Sequence, residues 1–290
     1  MEKFDMDEAN KIKSHQQLWL TNKDGLKIFS QAWLPQAEPR ANLIIVHGLG
    51  EHSGRYAHVA RYFNERGLAV FALDLPGHGL SEGKRGHVNN FVDFIDVLEQ
   101  LRGRMIKVSP GKPTFLFGHS MGGTIALIYL LDYQHHIRAA VLSAPAIQIK
   151  MGPPTFIKEL VPKLAAIAPS LTINSGLKPA WISRDKDVVA AYRTDPLVHP
   201  HISLSLFSGM YNGGKHALAN AEKVNIPVFA LYGSNDVIIQ GSAVDAAFDK
   251  LASHDKKKLV FADNFHEVHN EAEQFVEFAA IWDWLKPKCE

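Results

Sequence analysis

Three uninterrupted apolar runs, Leu43-Ile44-Ile45-Val46, Leu68-Ala69-Val70-Phe71-Ala72-Leu73 and Phe115-Leu116-Phe117, each lead straight into a glycine-bearing loop. A strand that is apolar at every position has no face to show to water, so it belongs in a sheet covered on both sides. The intervening stretches supply the covers. Tyr56 to Arg66 gathers Ala57, Val59, Ala60 and Phe63 on one side at helical spacing, and Asn90 to Ile106 carries Phe91, Phe94, Ile95, Val97, Leu98 and Leu101. Buried strands alternating with helices predict an α/β fold with a mostly parallel central sheet flanked by helices. Ligands of such sheets bind beyond the C-terminal strand ends, where the loops at Gly48, Gly77 and Gly118 all fall.

Around this centre the chain reads in order. His15 to Leu20 and Leu26 to Leu34 form a predicted hairpin about Thr21-Asn22-Lys23-Asp24-Gly25. Arg138 to Ser143, Pro227 to Tyr232 and Lys258 to Phe261 read as further strands, and Glu271 to Trp284 as a closing helix. Lys256-Lys257-Lys258 is placed in a solvated turn before the last strand. The rhythm breaks between about Ala146 and Asn220, where prolines at 153, 154, 162, 169, 179, 196 and 200 leave short helical pieces and no clear strand. Phe156, Ile157, Leu160, Val161, Leu164 and Ile167 make an apolar stripe there. The expectation is a core domain of residues 1–145 and 221–290, with 146–220 inserted as a helical cap, or lid, over the strand ends.

Chemistry enters at Gly118-His119-Ser120-Met121-Gly122, at a strand-to-helix junction. A serine there sits on a tight, strained turn that lifts its hydroxyl clear of the sheet, the pattern of a nucleophile elbow. A serine hydroxyl is a poor nucleophile at neutral pH and needs a histidine oriented by a carboxylate. In this fold the acid and then the histidine follow the serine, each just past a strand. Asp236, in Gly233-Ser234-Asn235-Asp236, and His266, in Phe265-His266-Glu267, occupy those places. The competitors are His269 for the base and Asp195 or Asp74 for the acid; Asp195 lies inside the inserted region and Asp74 precedes the serine. Donors for an oxyanion are expected from the Met121 N–H at the helix start and from the Leu49 N–H in His47-Gly48-Leu49-Gly50. A serine at the elbow excludes dehalogenase or epoxide hydrolase chemistry, which would place a carboxylate nucleophile there.

The totals narrow the classes further. A formal charge of +1 over 290 residues gives no electrostatic footprint for nucleic acid. The single cysteine, Cys289, leaves no disulfide, thiolate metal site or cysteine nucleophile. The charged start, Met1 to Glu8, lacks the apolar core of a signal peptide, and no run approaches the length needed to span a bilayer. A cytoplasmic protein that at most touches a membrane surface is expected.

His47-Gly48-Leu49-Gly50-Glu51-His52-Ser53-Gly54-Arg55-Tyr56, Asp74-Leu75-Pro76-Gly77-His78-Gly79-Leu80-Ser81-Glu82-Gly83 and Gly118-His119-Ser120-Met121-Gly122-Gly123 closely resemble the monoacylglycerol lipases of the α/β-hydrolase superfamily. Tyr192-Arg193-Thr194-Asp195-Pro196-Leu197, Gly233 to Asp236 and Phe265 to Glu271 extend the match across most of the chain. The resemblance implies hydrolysis of a monoacylglycerol to fatty acid and glycerol, without a cofactor or metal. It also implies that Glu51, Arg55 and His269 hold the glycerol end with Tyr192 nearby. Leu49 stands where a smaller residue is common in that group. The rival readings are a lysophospholipase or broader carboxylesterase and, outside enzymes, a ligand-binding protein built on the same fold.

Overall fold

The computed structural model describes residues 14–151 and 155–290. The charged N-terminus, Pro153, Pro154 and the side chains of Phe156 and Ile157 lie outside what it describes. β1 (Ser14–Thr21) and β2 (Lys27–Leu34) form the predicted antiparallel hairpin. β3 (Ala41–Val46), α1 (Ala57–Asn64), β4 (Leu68–Leu73), α2 (Asp93–Val108), β5 (Thr114–His119), α3 (Met121–Tyr133) and β6 (Ala139–Ser143) then alternate strand and helix. After β6 come α4 (Thr155–Ile167), β7 (Thr172–Asn174), α5 (Lys186–Thr194), β8 (His201–Ser203) and α6 (Leu204–Ala219). The sheet resumes with β9 (Val228–Gly233), α7 (Gly241–Lys250) and β10 (Lys256–Phe261), and α8 (Gln274–Leu285) closes the chain.

Among the described residues, eight strands form one sheet in the order β1-β2-β4-β3-β5-β6-β9-β10. All pairings from β4 to β10 are parallel; only those made by β2 are antiparallel. The strands divide their side chains between two cores because successive residues point to opposite faces. Ile44, Phe71, Leu116 and Ala140 pack with Phe94 and Leu98 of α2 and Leu130 of α3. Leu43, Val70, Phe117 and Val141 pack with Val59 and Phe63 of α1 and Phe278 and Ile281 of α8. This is the two-faced burial that the apolar runs require.

Two expectations need correction. Lys256, Lys257 and Lys258 are not in a turn: they begin β10, the edge strand beside β9. Lysines on an edge strand blunt its pairing with other chains, and Lys256 also caps the end of α7 by donating to the carbonyls of Phe248, Asp249 and Leu251. The stretch from 146 to 220 is also more regular than expected. β7 and β8 make a small antiparallel sheet, and α6 runs for 16 residues. Ser208-Gly209-Met210-Tyr211-Asn212-Gly213-Gly214 looks like loop sequence, yet the helix needs those glycines for close packing. A Cβ on Gly214 would stand 2.2 Å from the carbonyl oxygen of Ile147.

Candidate active site

The site starts at the end of β5. Ser120 has φ 54° and ψ −118°, a backbone state rare outside glycine and worth roughly 1–3 kcal/mol of strain. Its neighbours hold it there. Ser120 N–H donates to the Ser143 carbonyl at the end of β6, and the Ser120 carbonyl accepts from Ala146 N at 2.9 Å. The turn also depends on a missing side chain, since a Cβ on Gly122 would stand 2.1 Å from the Val46 carbonyl oxygen. Met121 is the first residue of α3, so its N–H has no acceptor within the helix and lies at the positive helix end.

Ser120 Oγ lies 2.9 Å from His266 Nε2, and His266 Nδ1 lies 2.6 Å from Asp236 Oδ2. The other Asp236 oxygen accepts the N–H groups of Ile238 and Ile239 at 2.7 and 3.1 Å. All three side chains are buried. Burial alone would pull the His266 pKa down; the charge and hydrogen bond of Asp236 outweigh it, and the net shift is upward. The structure therefore brings Ser120, His266 and Asp236 into one hydrogen-bonded line, and leaves the competitors elsewhere. Asp74 accepts from the backbone and hydroxyl of Ser53 and from Leu80 N. Asp195 pairs with His52 at 2.8 Å, tying the inserted segment to the loop after β3.

That loop is fixed from below. His47 Nε2 accepts from Leu75 N at 2.9 Å, so Nδ1 carries the proton and donates to the Gly48 carbonyl at 2.7 Å. Glu51 reaches back to accept from Gly48 N and from the Tyr56 hydroxyl. Leu49, between these anchors, lines a cavity of about 270 Å³ above Ser120. Ile149, Leu164, Ile173, Leu204, Phe207 and Ile238 make most of its wall apolar, and Glu51, Tyr192, His119 and Glu267 form a polar end.

Of the four residues that the resemblance gives to the glycerol end, Glu51 and Tyr192 line the cavity; Arg55 and His269 do not. Arg55 is drawn behind the wall by its ion pairs: it binds Glu51 and clamps Glu267 through both amine nitrogens at 2.7 and 2.6 Å. Its guanidinium also stacks 4.7 Å from the Tyr192 ring. His269 is fully buried, stacked on Tyr56 at 5.0 Å and edge-on to His119 at 4.6 Å, with neither ring nitrogen bonded among the described residues. Burial holds its pKa down to about 3, so it is neutral.

Sequence reasoning missed Glu267. Burial opposes its ionisation, but Arg55 outweighs burial and holds its pKa at about 2. Its position next to His266 was the only signal. A second missed group is Glu271, also buried. One oxygen accepts Phe265 N at 2.7 Å, and the other accepts Ser183 Oγ and the backbone and Nε of Arg184. With Glu267 N donating to the Ile182 carbonyl, this stitches the inserted segment to the loop that carries His266.

Comparison with known proteins gives the family. Residues 37–273 match the family model described as serine aminopeptidase, S33. A monoacylglycerol lipase of Mycolicibacterium smegmatis is 33% identical over 262 residues, covering 90% of this chain and 93% of that protein. The human monoglyceride lipase is 33% identical over 87% of this chain and 84% of its own. The crystal structure of Paleococcus ferrophilus monoacylglycerol lipase superposes with a TM-score of 0.83 at 33% identity, over 91% of this chain and 99% of that one. This chain is a serine hydrolase of the α/β-hydrolase fold and belongs to the serine aminopeptidase, S33, family, within its monoacylglycerol lipase group.

Proposed function

We propose that the chain hydrolyses monoacylglycerols to fatty acid and glycerol through an acyl-enzyme on Ser120. The observation that carries this reading is the Ser120–His266–Asp236 line at the floor of a cavity that is apolar on one side and polar on the other. His266 Nε2 takes the proton of Ser120 Oγ as the oxygen attacks the ester carbonyl. The oxyanion is held by the N–H groups of Leu49 and Met121, each worth roughly 10²–10³ in rate. His266 then protonates the departing glycerol oxygen, and water repeats the cycle on the acyl-enzyme. Glu51 and Tyr192 receive the glycerol hydroxyls, while Arg55 acts through Glu51 and Glu267 by fixing both carboxylates. His269 supports the wall from behind.

Residues 146–220 act as the cap domain on a core of 1–145 and 221–290. The cap carries several exposed apolar side chains: Leu160 at 49%, Leu164 at 51%, Ile167 at 84%, Leu171 at 55% and Ile173 at 47%. Apolar groups so exposed suit transient contact with a lipid surface. No described helix is long and apolar enough to cross a membrane.

One experiment tests both parts. The purified protein should release equal amounts of decanoate and glycerol from 1-monodecanoylglycerol below its solubility limit. Absence of glycerol release would sink the monoacylglycerol reading. With a long-chain monoacylglycerol held in liposomes, Ile167→Ser with Leu171→Ser should lower turnover about tenfold while leaving the soluble assay unchanged. Equal turnover on vesicles would remove the surface contact and leave the chemistry standing.

A further inference from the structure

The alcohol end of the cavity has a charge that glycerol does not use. Among the described residues, Glu51 and Glu267 are the only Asp, Glu, Lys or Arg side chains in the cavity wall. Their carboxylates converge, since one oxygen from each and one ring nitrogen of His119 all lie within 4.8 Å of one another. They also stand close to the nucleophile. A Cβ built on Gly48 would lie 2.9 Å from Glu51 Oε1 and 3.2 Å from the Ser120 Cβ. Among the described residues their ion-pair partner is Arg55, which faces both from behind the wall, so two carboxylates against one guanidinium leave a negative pole toward the substrate. Burial pushes the pKa of His119 well below the ordinary value and that of His269 to about 3, and any charge on His266 is matched by its partner Asp236, so the neighbouring histidines do not cancel it. A divalent metal would need carboxylate oxygens already engaged by Arg55, the Tyr56 hydroxyl, Gly48 N and Asn270, which leaves an organic cation as the better complement.

Resting on the ester-hydrolase reading, we infer that this site also cleaves acyl esters of alcohols that carry a positive charge, with a quaternary-ammonium or aminoalkyl leaving group seated against Glu51 and Glu267. The reaction balances without another reagent. The acyl C–O bond breaks, His266 returns the serine proton to the departing alcohol oxygen, and water adds to the acyl-enzyme to give the carboxylic acid and the free ammonium alcohol. Through a protein interior, a unit charge a few ångströms away discriminates much more strongly than in water. The same pole repels an anionic head, so a glycerophosphate ester is a poor substrate.

The test compares decanoylcholine with its uncharged isostere 3,3-dimethylbutyl decanoate, 1-monodecanoylglycerol and 1-decanoyl-glycerol-3-phosphate on the unmodified protein. Each kcat/KM is divided by that ester's hydroxide hydrolysis rate, to remove leaving-group reactivity. The choline ester should exceed its isostere by about tenfold, mainly through a lower KM, and the phosphate ester should fall below monodecanoylglycerol by a similar factor. Glu51→Gln, confirmed folded by its unfolding midpoint, should narrow the choline preference. Equal normalised rates for choline ester and isostere, or ready cleavage of the phosphate ester, would overturn the inference while leaving monoacylglycerol hydrolysis intact. If none of the four esters is cleaved, the underlying hydrolase reading fails instead.

Discussion

Replacing Ser120 with alanine is expected to lower kcat by about 10⁶ on a short chromogenic ester while leaving the fold unchanged. The size follows from its position. Ser120 Oγ, the proposed nucleophile, is bonded to His266 Nε2, and without it His266 and Asp236 would have no proton to move. What survives is binding and the oxyanion donors, which alone give only modest rates. The fold should persist because the elbow is held by main-chain bonds. Ser143 O, Gly123 N, Thr124 N and Ala146 N all contact the backbone of residue 120 and none needs the hydroxyl. Alanine has the same Cβ as serine, so the positive φ is no worse tolerated. The unfolding midpoint should therefore move little, and a fluorophosphonate that labels the parent should fail on the variant. Near-parental activity with an unchanged midpoint would mean that another group attacks the ester.

The parts legible in the sequence were those for which one physical demand admits few residue types. β3, β4 and β5 had to be apolar at every position because helices cover both faces, and that pattern gave the sheet. Ser120, Asp236 and His266, which lie in one hydrogen-bonded line, stand out in the sequence because each follows a strand end in a fixed chain order. The missed features depend on tertiary neighbours that no local pattern encodes. Nothing in the local pattern marks Gly209, Gly213 and Gly214 as packing positions, yet α6 uses these small residues to approach Phe91, Ile128 and Ile147. Lys256 to Lys258 read as a turn, because an edge strand and a solvated loop both tolerate lysine. Arg55 and His269 lie behind the cavity wall because Glu267 recruits one and Tyr56 stacks on the other. Those partners are 212 and 213 residues away in the chain.

Asp236→Asn should lower kcat by about 10⁴ with little change in fold, and the reason lies in which way the new amide must turn. Oδ1 of Asp236 accepts two backbone N–H groups, from Ile238 and Ile239, while Oδ2 faces His266 Nδ1. An asparagine keeps the backbone bonds only by placing its oxygen at the Oδ1 position. Its NH₂ then points at His266 Nδ1 and donates to it. The imidazole must carry its proton on Nε2 instead, where it can no longer accept the proton of Ser120. The variant also loses the negative charge that raises the His266 pKa. In the parent, kcat/KM requires neutral His266 and should rise with pH through a pKa above the ordinary 6.5. In the variant Glu267 and Glu51 still oppose burial, but the largest upward pull on His266 is gone, so the ascending limb should move to lower pH. A steady-state pH profile of both proteins checks the two effects together. A loss smaller than tenfold, or a limb that stays where it was, would show that Asp236 neither sets the tautomer nor holds the charge on His266.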